Sequence, residues 1–279
     1  MSLGDTTSGL VELTRPVNAV AAGVLTATGA FVAGIGGQGL AVAAAALATV
    51  LAVGAGNAIN DYFDRDIDAI NQPDRAIPRG AVSARGALAF SIVLFLAAVA
   101  LALTLPVTAI AIAAVNLVAL VTYTELFKGL PGVGNALVAY LGGSTFLFGG
   151  AAVGSLQAPL VLAFLAAAST LAREIIKDVE DVAGDREEGL NTLPIAIGER
   201  RALWVAAALL GVALVASPVP YLLGDFGLAY LLVVGPADLV MVYAGAISFR
   251  DATAGQSYLK YGMFLAAAAF ILGRAVVLV

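Results

Sequence analysis

Charge is missing from long intervals of this chain, and the intervals set its architecture. No Asp, Glu, Lys or Arg lies between Arg15 and Asp61, a gap of 45 residues. A membrane span needs about 20 apolar residues, so the gap predicts two spans. They turn at the glycine-rich run Gly34–Gly39. Arg85 to Glu125 is a second gap, of 39 residues, with a turn at Thr104–Pro106. Lys128 to Arg173 is a third, of 44 residues, turning within Gly149–Pro159. Arg201 to Arg250 carries only Asp225 and Asp238 and turns at Ser217–Asp225, and a last span follows Lys260. The pattern predicts an all-α fold: a polytopic membrane helical bundle of nine transmembrane helices around a central cavity, one domain over residues 1–279.

Each hairpin returns the chain to the face it left, so the charged connectors share one face. They hold thirteen of the fourteen basic residues; Arg274 is the exception. The excess of Lys and Arg makes that face cytoplasmic. The expected location is the cell membrane, with the N-terminus and the charged loops inside.

Composition agrees. The chain is 61% hydrophobic and 12% charged, against about 25% charged in soluble domains. Met1–Glu12 is polar and has no short apolar core, so no cleaved signal is expected. Cys and His are absent, which excludes disulfides, thiolate chemistry, imidazole bases and Cys/His zinc sites. A metal must be held by oxygen, which suits Mg²⁺, one ion or two, or Mn²⁺. The net charge of −5 is clustered, and no nucleic-acid partner is expected.

Two acidic clusters close long apolar stretches: Asn60-Asp61-Tyr62-Phe63-Asp64-Arg65-Asp66-Ile67-Asp68 and Asp178-Val179-Glu180-Asp181-Val182-Ala183-Gly184-Asp185. Asn60, Asp64 and Asp68 are spaced i, i+4, i+8, one ridge of a helix. Glu174, Asp178, Asp181 and Asp185 form a similar ridge. Carboxylates at a helix C-terminus oppose the macrodipole, so solvated helix ends explain them poorly. Crowded carboxylates at a membrane boundary imply a compensating cation. Asn60, Asp64, Asp68, Asp178, Asp181 and Asp185 are the metal-ligand candidates. Asp61, Asp66 and Glu180 fall off the ridges and are expected to be loop or supporting residues.

Basic residues flank both clusters, and the positive-inside bias accounts for many of them. Arg79, Lys128 and Lys177 are the candidates for a diphosphate. Arg15, Arg75 and Arg173 are left for a second anionic head group; Asn18, three residues after Arg15, and Tyr123, five residues before Lys128, are further substrate-binding candidates. Pro73 and Pro78 make the first connector irregular, which suits a lid. Tyr62/Phe63 and Phe146/Phe148 with Tyr140 offer π faces to a cation, although packing explains them as readily. Asp238 fits either a functional group or a hydrogen-bonded helix contact.

At these residues the sequence resembles the UbiA superfamily of intramembrane prenyltransferases. Their first motif, Asn-Asp-x-x-Asp-x-x-x-Asp, is matched in full by residues 60–68, and their second by Asp178, Asp181 and Asp185. Asp74-Arg75-Ala76-Ile77-Pro78-Arg79-Gly80 and Asn191-Thr192-Leu193-Pro194 are similar to family loops. Arg173-Glu174-Ile175-Ile176-Lys177-Asp178 resembles the branch that makes archaeal ether lipids. The resemblance implies Mg²⁺-dependent transfer of a geranylgeranyl group from geranylgeranyl diphosphate to the hydroxyl of geranylgeranylglyceryl phosphate, a lipid-like phosphate acceptor, among membrane lipids. Asp64, Asp68, Asp181, Asp185, Lys128 and Lys177 would then be catalytic. An aspartate or the released diphosphate would take the proton. An aromatic acceptor of quinone synthesis is the alternative within the family. Two other classes fit less well. CDP-alcohol phosphotransferases need an Asp-Gly-x-x-Ala-Arg run that this chain lacks, and of the mid-span carboxylates an ion-coupled transporter needs, Asp238 alone fits.

Overall fold

The computed structural model describes residues 3–122 and 130–278. It is helical, and no strand occurs among the described residues. Four helices carry the first half: α1 (Leu3–Leu13), α2 (Pro16–Ala33), α3 (Gly39–Phe63) and the short α4 (Arg65–Asn71). Next come α5 (Ala84–Ala102), α6 (Val107–Thr122), α7 (Val133–Ala152), α8 (Gln157–Glu180) and α9 (Val182–Glu187). The chain closes with α10 (Leu193–Ile197), α11 (Glu199–Ala216), α12 (Val219–Leu222), α13 (Leu228–Ile247) and α14 (Ala252–Leu278).

Seven helices are long and apolar enough to cross a membrane: α2, α3, α5, α8, α11 with its extension to Leu222, α13 and α14. This qualifies the expected count of nine. At 16 residues α6 is a shorter apolar helix, and α7 is diluted by Asn135, Tyr140, Ser144, Thr145 and its glycines. The breaks fall at the expected turns. Pro16 opens α2, where a missing N–H costs nothing. Ser83 caps α5 by accepting a hydrogen bond from the Gly86 amide at 3.1 Å.

Small residues let the helices approach closely. Gly29 on α2 and Gly149 on α7 meet backbone to backbone: a Cβ on Gly149 would overlap the Thr26 carbonyl, and one on Gly29 the Phe146 carbonyl. Around this crossing, α3 packs antiparallel on α2 and α5, α8 on α7, and α14 on α13. Thr26 and Thr49 share a 2.9 Å hydrogen bond between α2 and α3. Buried Phe146, Leu162, Tyr230 and Phe270 fill the centre of the second half.

Side-chain contacts sort the two ends of the bundle. At one end, Arg274 of α14 lies beside Gly34 at the close of α2 and donates to the Asp225 carbonyl at 3.2 Å. Gln38 there donates to the Val153 carbonyl at 3.3 Å. At the other end of α14, Gln256 takes a hydrogen bond from Arg173 of α8 at 2.9 Å. Arg15 at the start of α2 takes Asp61 at the end of α3. Both acidic clusters therefore sit at the same end, as the hairpin count requires.

The connector between α4 and α5, irregular at Pro73 and Pro78, is anchored to the bundle. Ala76, Ala81 and Val82 are buried, and Ala76 and Val82 pack with Leu13, Ala58 and Ala87 beneath α1.

Candidate active site

Both acidic ridges survive folding, but each bends at its middle carboxylate. Asp64 separates α3 from α4, and Asp181 separates α8 from α9. The i to i+4 backbone bonds run through each bend: Asp64 N–H to the Asn60 carbonyl and Asp68 N–H to the Asp64 carbonyl, both at 2.8 Å. In the second cluster Asp181 N–H reaches the Lys177 carbonyl at 3.0 Å, and Asp185 N–H the Asp181 carbonyl at 2.9 Å. One face is kept while the chain turns from a membrane helix onto a surface helix.

Arginines and neutral donors compensate the carboxylates. Arg75 donates to the buried Asp68 at 2.6 Å and lies 3.6 Å from Asp61. Arg15 donates to Asp61 at 2.7 Å. Asp61, expected as a loop or supporting residue, is buried between two guanidiniums. Asn135, in the first turn of α7, donates to Asp178 at 2.8 Å, and Thr192 donates to Asp185 at 3.0 Å. Asp181 is flanked by Lys177, Glu180 and Asp185; partial desolvation, reinforced by the two acids, pushes its carboxyl above the usual range. Asp66 and Glu180 are exposed.

Other candidates divide. Arg79 forms a two-pronged pair with Glu12 on α1, at 2.9 and 2.7 Å, and also donates to the Asp74 carbonyl at 2.5 Å. The Glu12 carboxylate raises the guanidinium pKa further. Arg173 pairs with Glu174 at 3.0 Å as well as with Gln256. Lys177 and Asn18 are exposed, the first in the last turn of α8 and the second in the first turn of α2. Tyr123 and Lys128 lie outside the described residues. Among the described residues no three acidic side chains converge closely enough to hold a metal. Asn135 and Glu12 were not singled out in the sequence. A lone Asn in an apolar run has no period to betray it, although its cost in a membrane is a signal.

Two cavities lie beyond the polar end. The larger, about 410 Å³, runs between α3, α5, α6 and α7; Asn57 and Asn60 sit at its polar end, and Thr49, Asn116 and Thr145 interrupt its apolar wall. The smaller, about 140 Å³, lies between α2, α7, α8, α11, α13 and α14. Asp238 lines it and accepts a hydrogen bond from Ser217 at 2.6 Å, so this carboxyl ties α13 to the end of α11. Phe146 borders the smaller cavity and Phe148 the larger.

This arrangement has known counterparts. Residues 21–268 match the UbiA prenyltransferase family. The chain is 67% identical over 267 residues to a digeranylgeranylglyceryl phosphate synthase of Natronomonas pharaonis, covering 95% of this chain and 96% of that one. It is 41% identical over 266 residues to one from Methanothrix thermoacetophila, covering 95% and 98%. A solved structure of a digeranylgeranylglyceryl phosphate synthase superposes with a TM-score of 0.85 at 32% identity, covering 96% of this chain and 98% of that one. A UbiA homologue from Archaeoglobus fulgidus, bound to GPP and Mg²⁺, shares the fold with a TM-score of 0.72 at 21% identity, covering 97% and 100%. Family match, near-complete relatives and the doubled acidic ridge agree: this multi-pass membrane protein belongs to the UbiA prenyltransferase family.

Proposed function

We propose that the protein transfers a geranylgeranyl group from geranylgeranyl diphosphate to geranylgeranylglyceryl phosphate, forming the second ether bond of an archaeal lipid. The observation that carries the reaction class is the apolar cavity of about 410 Å³ beginning at Asn60, the first residue of an acidic ridge. A diphosphate at the ridge would leave its prenyl chain in that cavity. The relatives' names support the acceptor, because digeranylgeranylglyceryl phosphate synthases match this chain over nearly its whole length. In this reading α6 and α7 also span, making nine spans, and the acidic end faces the cytoplasm of the cell membrane.

The donor set fits a hard divalent cation. Asn60, Asp64, Asp68, Asp178, Asp181 and Asp185 offer oxygen only, and Arg75, Asn135 and Thr192 already bring donor groups to three of the carboxylates. One or two Mg²⁺ ions, or Mn²⁺, held there would neutralise the diphosphate and favour its departure. Lys177, Lys128 and Arg79 add cationic charge for the leaving group. Arg79 must first leave Glu12. Arg15, Arg75 and Arg173, with Asn18 and Tyr123, are assigned to the acceptor head group. The apolar walls keep water from the allylic cation, so the acceptor hydroxyl is the nucleophile available. The chain has no imidazole or thiol, so the proton leaves to an oxygen base, an aspartate or the diphosphate.

The test offers radiolabelled geranylgeranyl diphosphate to geranylgeranylglyceryl phosphate, 4-hydroxybenzoate and a naphthoate in parallel. Label should appear in the ether lipid. Label confined to an aromatic product would assign the chain to quinone synthesis instead.

A further inference from the structure

We propose that Asp61 is a positioning residue that holds Arg15 and Arg75 together as a clamp for the acceptor's phosphate. The proposal rests on the acceptor reading of those two arginines. Asp61 lies off the ligand ridge, yet its side chain is 10% exposed, enclosed like that of the ridge residue Asp68 at 9%. Its Oδ1 faces two cations at once: Nη2 of Arg15 at 2.7 Å and Nη1 of Arg75 at 3.6 Å. The four side chains alternate in sign, Arg15–Asp61–Arg75–Asp68, and they come from the α1–α2 junction, α3, the α4–α5 connector and α4.

Asp68 and Asp61 differ in what they can give up. Asp68 is a ridge carboxylate, and any cation bound at the ridge competes with Arg75 for it. Asp61 points to the arginines, and separating it from both would leave an enclosed carboxylate uncompensated, which is strongly unfavourable. Arg75 displaced from Asp68 therefore has Asp61 within 3.6 Å to fall back on. A guanidinium carries five N–H donors. Arg15 gives Asp61 only Nη2, and Arg75 uses Nη1 for Asp68 and Nε for Gln72. Each keeps donors suited to two-pronged phosphate recognition.

Arg15 also occupies an unfavourable backbone state. Its φ of +46° and ψ of +67° make it the one non-glycine residue with positive φ among those described. Such a conformation persists only where the surroundings determine it. Here Asn57 holds the preceding Thr14 carbonyl at 3.0 Å, Pro16 opens the next helix, and Asp61 anchors the side chain. The strain is tolerated at the residue whose guanidinium is aimed.

The test is steady-state kinetics in liposomes for Asp61→Asn, Asp61→Glu, Arg15→Gln, Arg75→Gln and the Asp61→Asn/Arg15→Gln double variant, with both substrates varied. Asp61→Asn should raise the acceptor KM at least about tenfold, the size of losing an oriented charged contact. Its KM for geranylgeranyl diphosphate and its Mg²⁺ activation should stay within about twofold of wild type. The double variant should fall within about twofold of the worse single variant, because both act through one contact. Asp61→Glu, which keeps the charge and folding compensation, should be intermediate. Lost Mg²⁺ activation in Asp61→Asn, equal rises in both KM values, or multiplying effects in the double variant would overturn the proposal. If Arg15→Gln and Arg75→Gln leave the acceptor KM unchanged, the acceptor reading fails and this clamp with it. If those two variants raise it while Asp61→Asn does not, only the positioning role of Asp61 fails.

Discussion

Asn135 donates a 2.8 Å hydrogen bond to Asp178, from the first turn of α7 to the last turn of α8. Asn135 is buried, and the contact crosses from a helix without acidic residues to one whose last seven residues hold three, Glu174, Asp178 and Glu180. Replacing Asn135 by Leu removes the hydrogen bond that the Asp178 side chain accepts among the described residues. An enclosed acceptor left without its donor costs about 1–3 kcal/mol. Asn135→Leu should lower kcat/KM by roughly tenfold or more while the protein still folds. Product formation and a thermal melt in detergent separate the two effects.

Asp64→Asn, Asp68→Asn, Asp181→Asn and Asp185→Asn should each cut turnover by about 100-fold or more, since each removes a charged oxygen from a metal–diphosphate site. Asp181→Asn should leave the metal-free protein no less stable, because Glu180 and Asp185 crowd that carboxyl, whereas Asp68→Asn also gives up its buried ion pair with Arg75 and should lower stability. Near-wild-type turnover in two of the four would dismantle the two-ridge site. EDTA should abolish turnover, and Mg²⁺ should restore it.

Asp181 sets a pH dependence. Desolvation first, then Glu180 and Asp185, raise its pKa above the ordinary 3.8. A raised acid binds its proton more tightly folded than unfolded. Its contribution to stability is therefore complete below 3.8 and is lost as pH rises through the folded value. Metal binding needs the ionised form, so the sign reverses with the ion present. Apparent Mg²⁺ affinity should weaken as pH falls through that raised value, and Asp181→Asn should flatten this part of the profile. Titrations of Mg²⁺ activation from pH 4.5 to 7.5 read it.

Topology can be read from introduced cysteines, because the chain has none of its own. Ala69→Cys and Glu188→Cys occupy exposed positions at the acidic end and should label from the cytoplasm. Gly39→Cys and Ser155→Cys lie in the opposite turns and should label from outside. Labelling of Ala69→Cys and Glu188→Cys from different faces would break the nine-span reading.

Gly149→Val should be poorly tolerated. The new Cβ would meet the Thr26 carbonyl, a rigid atom, rather than a side chain able to move aside. Overpacking typically costs about 1–3 kcal/mol, and a backbone clash belongs at the upper end. Gly211→Ala, in open space on α11, is the control. The comparison is the melting temperature of the two purified variants.

The spans were legible because lipid leaves no tolerance for charge, so the gaps after Arg15, Arg85, Lys128 and Arg201 marked them directly. The acidic ridges were legible because helix periodicity is local, and the i to i+4 bonds through Asp64 and Asp181 preserve it. Partners brought together by folding were hidden. Glu12 finds Arg79 across 67 residues and Arg15 finds Asp61 across 46, separations without period. Asp61 was undervalued for the same reason: its role follows from which helix faces it, not from its place in the ridge. The count of nine outran the seven helices that meet length and hydropathy, because α7 trades apolar bulk for the small residues its close packing needs.

That close packing has a mechanical consequence. Where Gly29 and Gly149 bring two backbones into contact, no side chain lies between α2 and α7 to compress. The crossing is a fulcrum. Thr26 stands 11 residues from Arg15, and Phe146 the same number from Asn135. At 1.5 Å per residue, each lever arm is about 16 Å. A rocking of about 5° would move the Asp61 rim against the Asp178 rim by about 1.4 Å, the difference between a shared ligand held and released. Any closing of this site on its substrates would therefore be a matter of angle, with the Gly29–Phe146 and Gly149–Thr26 approaches as its pivot.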